Sequence, residues 1–122
     1  MTSIADFTKS EIWIIKETLR ERYGEEIEPD LVDTEIRLNP LSSELTACPA
    51  LYWQRDKANF IIVKVGEQRY RAQFFYRVHQ MFGTGIEEYT DLTECAVTLL
   101  QVQADHALKE AKEQDKQQQK NQ

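Results

Sequence analysis

Residues 59–78, NFIIVKVGEQRYRAQFFYRV, constrain the fold more than any other stretch, because they read as two strands joined by a tight turn. With Gly66-Glu67 as the turn and Gly66 supplying a positive φ, Val65 faces Gln68, Val63 faces Tyr70, Ile61 faces Ala72 and Asn59 faces Phe74. That face is expected to be the core face. Strand alternation then puts Phe60, Ile62 and Lys64 on the opposite face with Arg69, Arg71, Gln73 and Phe75, and Arg77 further along. Both faces carry apolar side chains, so a fold built on this hairpin must cover one and account for the other.

The flanking segments supply the cover. Thr8 and Glu11 have the spacing of a capping box, Phe7 is placed to staple onto Ile12, and Ile12, Ile15, Leu19 and Tyr23 trace one face up to Gly24, the expected left-handed stop. Residues 25–30, EEIEPD, form an acidic connector without the spacing or glycine of a calcium loop. Val32, Thr34, Ile36 and Leu38 alternate with charged residues as a first strand with one wet face. Pro40, the Ser42-Ser43 pair and Pro49 mark residues 39–49 as a loop, and residues 51–54 form a second strand that turns through Asp56-Lys57 into the hairpin. An even loop sets Trp53 on the face of Phe60 and Ile62, whereas a three-residue loop would flip it. The even loop keeps Tyr52 beside Ile61 and Val63 and is preferred. A second helix opens near Asp91 and carries Leu92, Cys95, Ala96, Leu99, Val102 and His106 on one side.

These elements predict an α+β two-layer sandwich: helix, four-stranded mostly antiparallel meander, helix. Residues 1–108 form the domain, and 109–122, charged and Gln-rich with nothing to bury, form a disordered tail. Four strands about 4.8 Å apart span roughly 19 Å, and two helices side by side cover about 20 Å. Two helices therefore shelter one face of the sheet and leave the other open.

Composition narrows the function classes. The chain has 122 residues and a net charge of −6; the tail, with four Lys against Glu110, Glu113 and Asp115, is +1, so the body carries −7. An acidic body is repelled by phosphate backbones, which disfavours nucleic acid. Cys48 and Cys95 lack ligand or CxxC spacing and fit free thiols in a reducing, cytoplasmic setting. No basic leader and no long apolar run points to a membrane. His79 and His106 have no second ligand at metal spacing, and the Gly83/Gly85 pair lacks the third glycine of a dinucleotide fingerprint. No catalytic residue, metal or cofactor is expected.

The expected function is non-enzymatic protein binding, as an accessory or assembly factor or adaptor of a larger complex, through an apolar and basic open face. Trp53, Phe60, Ile62 and Phe75 would anchor a partner, and Lys64, Arg69, Arg71 and Arg77 would pair with its acidic groups. An exposed edge strand could also accept an extended tail, and a second copy could close the face as a homodimer. The alternatives are single-stranded RNA binding through the Arg/aromatic strand 69–77, and a small enzyme without a recognisable motif. Alternation weakens the RNA reading, since it puts Tyr70, Phe74 and Tyr76 on the core face and leaves Phe75 alone beside the arginines.

Overall fold

The computed structural model describes residues 4–77 and 80–120; Val78 and His79, where the hairpin's second strand was expected to end, lie outside the described residues. The chain runs α1 (Lys9–Tyr23), β1 (Asp30–Ile36), β2 (Thr46–Arg55), β3 (Ala58–Gly66), β4 (Arg69–Phe75), β5 (Met81–Gly83) and α2 (Leu92–Lys120). The five strands form one antiparallel meander in chain order. The sheet thus has one short strand more than the sequence suggested, built from Met81, Phe82 and Gly83 against Phe75, Phe74 and Gln73.

Local chemistry explains both helices. Thr8 Oγ1 accepts from the Glu11 amide at 3.1 Å while Glu11 Oε1 accepts from the Thr8 amide at 2.7 Å, so two amides that no helical turn could satisfy are paired. Gly24, at φ 71° and ψ 11°, ends α1 in the left-handed region and donates to Arg20 O at 2.9 Å. α2 opens with Asp91 Oδ1 accepting from the Glu94 amide at 3.1 Å. The helix continues through the segment assigned to a tail as far as Lys120; among its side chains described, up to residue 112, the last that face the core are Leu99, Leu100, Val102 and the half-buried His106.

Both helices lie on the same face of the sheet. Ile15 and Leu19 of α1 and Leu92, Cys95, Ala96, Leu99 and Leu100 of α2 share one core with Leu51, Trp53, Phe60, Ile62, Ala72 and Phe74. The two-layer sandwich is therefore the architecture, and the face it shelters is the one that carries Trp53.

This reverses the expected assignment of β2 and β3. The β2–β3 turn is the two-residue one: Asp56 and Lys57 have φ 51° and 71°, and Trp53 lies opposite Phe60. The β3–β4 register, however, is shifted by one residue. Ile62 faces Ala72, Val63 faces Arg71 and Lys64 faces Tyr70, with an irregularity between Lys64 and Gly66 that leaves Val65 as an extra residue. The turn residues are Glu67 and Gln68, with Gln68 at φ 54° and Gly66 outside the left-handed region. Because the side-chain period is two, that single-residue slip moves every β3 side chain to the other face relative to β4.

Residues 46–49, expected in a loop, belong to β2 despite Pro49. The Ala47 carbonyl accepts from the Ile4 amide at 3.2 Å, so Ala47 and, two residues on, Pro49 direct their backbone groups away from β1. The β2–β3 register begins only at Ala50, so the missing Pro49 amide interrupts neither ladder.

Candidate functional site

The face opposite the helices is assembled from alternate residues of four strands. It presents Val32, Thr34 and Ile36 from β1, Cys48, Ala50 and Tyr52 from β2, Ile61 and Val63 from β3, and Arg71, Gln73 and Phe75 from β4. Cys48, Ala50, Val63 and Val65 form its centre, where small residues and the larger side chains around them already exclude solvent. Val32, Ile36, Tyr52, Ile61, Arg71 and Phe75 remain half-buried.

The polar groups on this face are largely consumed within it. Tyr52 donates its hydroxyl proton to Asn59 Oδ1, and Asn59 Nδ2 donates to the Phe75 carbonyl at 3.1 Å. Thr34 Oγ1 donates to the Cys48 carbonyl at 2.9 Å. At the β4 end, Arg69 binds Glu88 through two hydrogen bonds of 2.8 and 2.9 Å, which hold the Glu88 carboxyl below its usual range against the opposing pull of partial burial. Arg71 Nε lies 3.9 Å from the same carboxylate. What is left outward is hydrocarbon with a muted positive rim.

Of the eight residues assigned to the interface from sequence, the structure gathers three. Arg71 and Phe75 stand on the open face, and Arg69 stands at its edge with its guanidinium committed to Glu88. Four belong to the sheltered face instead. Trp53, Phe60 and Ile62 are 2%, 0% and 0% exposed, and Trp53 stacks on Phe60 at 5.3 Å. Lys64 is buried and ion-paired with Glu11 at 2.8 Å. Arg77 is exposed in the turn after β4, where its carbonyl accepts from the Gln80 amide, and is not part of the sheet. The register slip inverts the faces of β2 and β3 while Arg69, Arg71 and Phe75 keep theirs, and Arg77 leaves the face because β4 ends at Phe75. Val32, Ile36, Tyr52 and Ile61 are the residues that sequence reasoning left out. The β1 alternation already marked Val32 and Ile36 as one face, but its pairing partner in space fixes which face that is.

The Arg/aromatic strand 69–77 divides as alternation requires. Tyr70 and Phe74 are in the core and Tyr76 is packed against it, its hydroxyl accepting from Gln103 Nε2 at 3.1 Å, so Phe75 is the aromatic ring of this strand left on the face of Arg71, with Gln73 between the two.

A second feature is a cleft of about 590 Å³ bounded by residues 4–8, the start of α1, the β3–β4 turn and the start of α2. Glu11 organises its floor. Its carboxylate accepts from Lys64 Nζ, from the Tyr70 hydroxyl and from the Thr8 amide, while Lys64 also donates to the Asp6 carbonyl at 3.1 Å. Burial pushes the Glu11 carboxyl up, but the hydrogen bonds from Lys64, Tyr70 and Thr8 outweigh it and hold the group below its usual 4.5. Burial, followed by the bond to Glu11, raises the Tyr70 phenol. The charges here satisfy one another and tie residues 4–7 to the sheet. Phe7, buried against Tyr70 at 6.4 Å between ring centres, completes that tie.

Both thiols are buried. Burial raises Cys48 and pushes Cys95 up to about 12. Among the described residues no cluster of three or more His, Cys, Asp or Glu is placed to hold a metal ion, and no helix is long and apolar enough to cross a membrane. Comparisons with family models, with curated proteins and with solved structures give no match.

Proposed function

We propose that the chain is a non-enzymatic protein-binding module, an accessory or assembly factor of a larger complex, and that its working surface is the sheet face bearing Val32, Ile36, Tyr52, Ile61, Arg71 and Phe75. One observation carries the reading: both helices pack on the Trp53 side, which leaves these side chains without a layer over them. Contiguous apolar surface of this kind is the usual mark of an interaction site. Aromatic rings and an arginine on one surface are the residue types that concentrate binding energy at protein interfaces.

The test is affinity capture from the native host with wild type and with the variants Ile61→Asp and Phe75→Asp. Both residues are half-exposed, so the variants should keep their far-UV circular dichroism while losing the captured partner. Retention of the same partner by both folded variants would count against this face. Loss of a wild-type dimer in place of a partner would identify the occupant as a second copy.

A further inference from the structure

The open face ends at β1, and β1 is an unpaired edge. It is outermost in the sheet and among the described residues its ladder runs to β2 alone. The orientation of its free groups follows from β2. Ala47 and Pro49 turn their backbone groups away from β1, so the residues opposite them, Glu35 and Asp33, turn theirs outward, and Leu31 follows by alternation. The helices do not reach this edge: Leu31, Asp33 and Glu35, whose side chains share the helix side of the sheet, are all exposed. On the other side Val32, Thr34 and Ile36 are half-buried and run directly into the open face.

The edge is also selectively charged. β1 carries Asp30, Asp33 and Glu35 and no cation, the nearest one, Arg37, falling beyond the strand. In the full-overlap twofold register, a second copy would set Asp33 opposite Asp33 and each Glu35 opposite Leu31. Like charges directly opposed are destabilising, and carboxylates on an edge are a usual guard against self-pairing.

We propose that this edge takes an extended segment of a partner protein in which apolar and cationic residues alternate, added as one more strand beside β1. Lysines or arginines of the segment lie opposite Asp33 and Glu35, in the pairs that exchange backbone hydrogen bonds with the outward groups. Its apolar residues lie opposite Val32, Thr34 and Ile36, in the closer pairs, and extend the open face. The proposal rests on the protein-binding reading and names the partner chemistry that the β1 end of that surface would recognise.

The probe is a fluorescein-labelled octapeptide of alternating Val and Lys, titrated with the full chain and followed by fluorescence anisotropy, beside the Val/Glu counterpart and a scrambled Val/Lys peptide. The alternating Val/Lys peptide should bind most tightly, with the Val/Glu peptide weaker on the order of tenfold or more, and its binding should weaken with salt. Asp33→Pro removes an outward amide without touching the β1–β2 ladder, so it should abolish binding with little change in the thermal midpoint. The double variant Asp33→Lys/Glu35→Lys should exchange the preference in favour of the Val/Glu peptide, which keeps the proposal testable if the proline variant folds poorly. Equal binding of all three peptides, an unchanged Asp33→Pro, or a wild-type dimer dissolved by Asp33→Pro would each overturn it. If Ile61→Asp still abolishes partner capture in that case, the broader reading stands without the edge.

Discussion

Replacing Lys64 by methionine should be among the most damaging single changes in the chain, and its size follows from burial. The Lys64 and Glu11 side chains are 7% and 13% exposed, so methionine fills the stem's volume but leaves the Glu11 carboxylate without its cation. Removing one partner of a buried pair costs about 3 to 5 kcal/mol, because the remaining charge stays desolvated. For a chain of this size 1 kcal/mol moves the thermal midpoint by about 4 °C, so the midpoint should fall by about 12 to 20 °C. Adding Glu11→Gln to Lys64→Met should recover a large part of that loss, since the glutamine carbonyl oxygen can take the place of Oε1 and accept from the Thr8 amide, its NH2 can donate to the Tyr70 hydroxyl oxygen, and it carries no charge. Acid should also narrow the gap between wild type and Lys64→Met. In the wild type the folded Glu11 carboxyl lies below its usual 4.5, so the stability it contributes is present above that pH and is lost as pH falls through the folded value. In the variant, burial without the cation raises the carboxyl, and protonation relieves the strain of the lone charge. Urea unfolding at several pH values, followed by the fluorescence of the buried Trp53 and by far-UV circular dichroism, measures the whole cycle. A double variant no more stable than Lys64→Met alone would refute the idea of an uncompensated carboxylate.

Two further changes probe the remainder of the fold. Deleting residues 109–122 should lower the thermal midpoint by no more than a few degrees, because residues 107–112, which follow the last described core-facing residue of α2, His106, are exposed; a large drop in a calorimetric scan would mean that this part of the helix is docked. Both thiols should resist a disulfide exchange reagent at neutral pH in the folded chain and react on unfolding, since each is buried with its pKa raised; rapid absorbance change under native conditions would contradict that burial.

Much of the architecture was legible because its signals are local. The Thr8/Glu11 box, the Gly24 stop, the Asp56-Lys57 turn and the helical stripe from Leu92 to His106 each declare themselves within a few residues. The count of helices against the width of the sheet then fixed how many faces could be covered. Which face was covered turned on one residue of register. Gly66 looked like the turn residue, yet Gln68 takes the positive φ and Val65 is bulged, which inverts β3 against β4. Lys64 reinforced the error, because a lysine between isoleucine and valine reads as a solvent-facing marker unless a buried carboxylate awaits it. That carboxylate, Glu11, had already been assigned to the capping box, and its second role depends on a contact 53 residues away in sequence. Pro49 misled for a similar reason, since a proline inside a strand is tolerated where its missing N–H faces a side that carries no ladder bond, a fact of pairing and not of composition.

Aspartate placed at two adjacent positions of β3 tests the central claim most directly, because Ile61 and Ile62 point to opposite faces of the sheet. Ile62 is wholly buried beneath the helices, so Ile62→Asp should cost more than about 4 kcal/mol and lose cooperative unfolding. Ile61 lies on the bare side, and Ile61→Asp should unfold cooperatively with a loss of about 1 kcal/mol. The reverse ranking in the same denaturation experiment, with Ile61→Asp collapsed and Ile62→Asp intact, would place the helices on the other side and contradict the account.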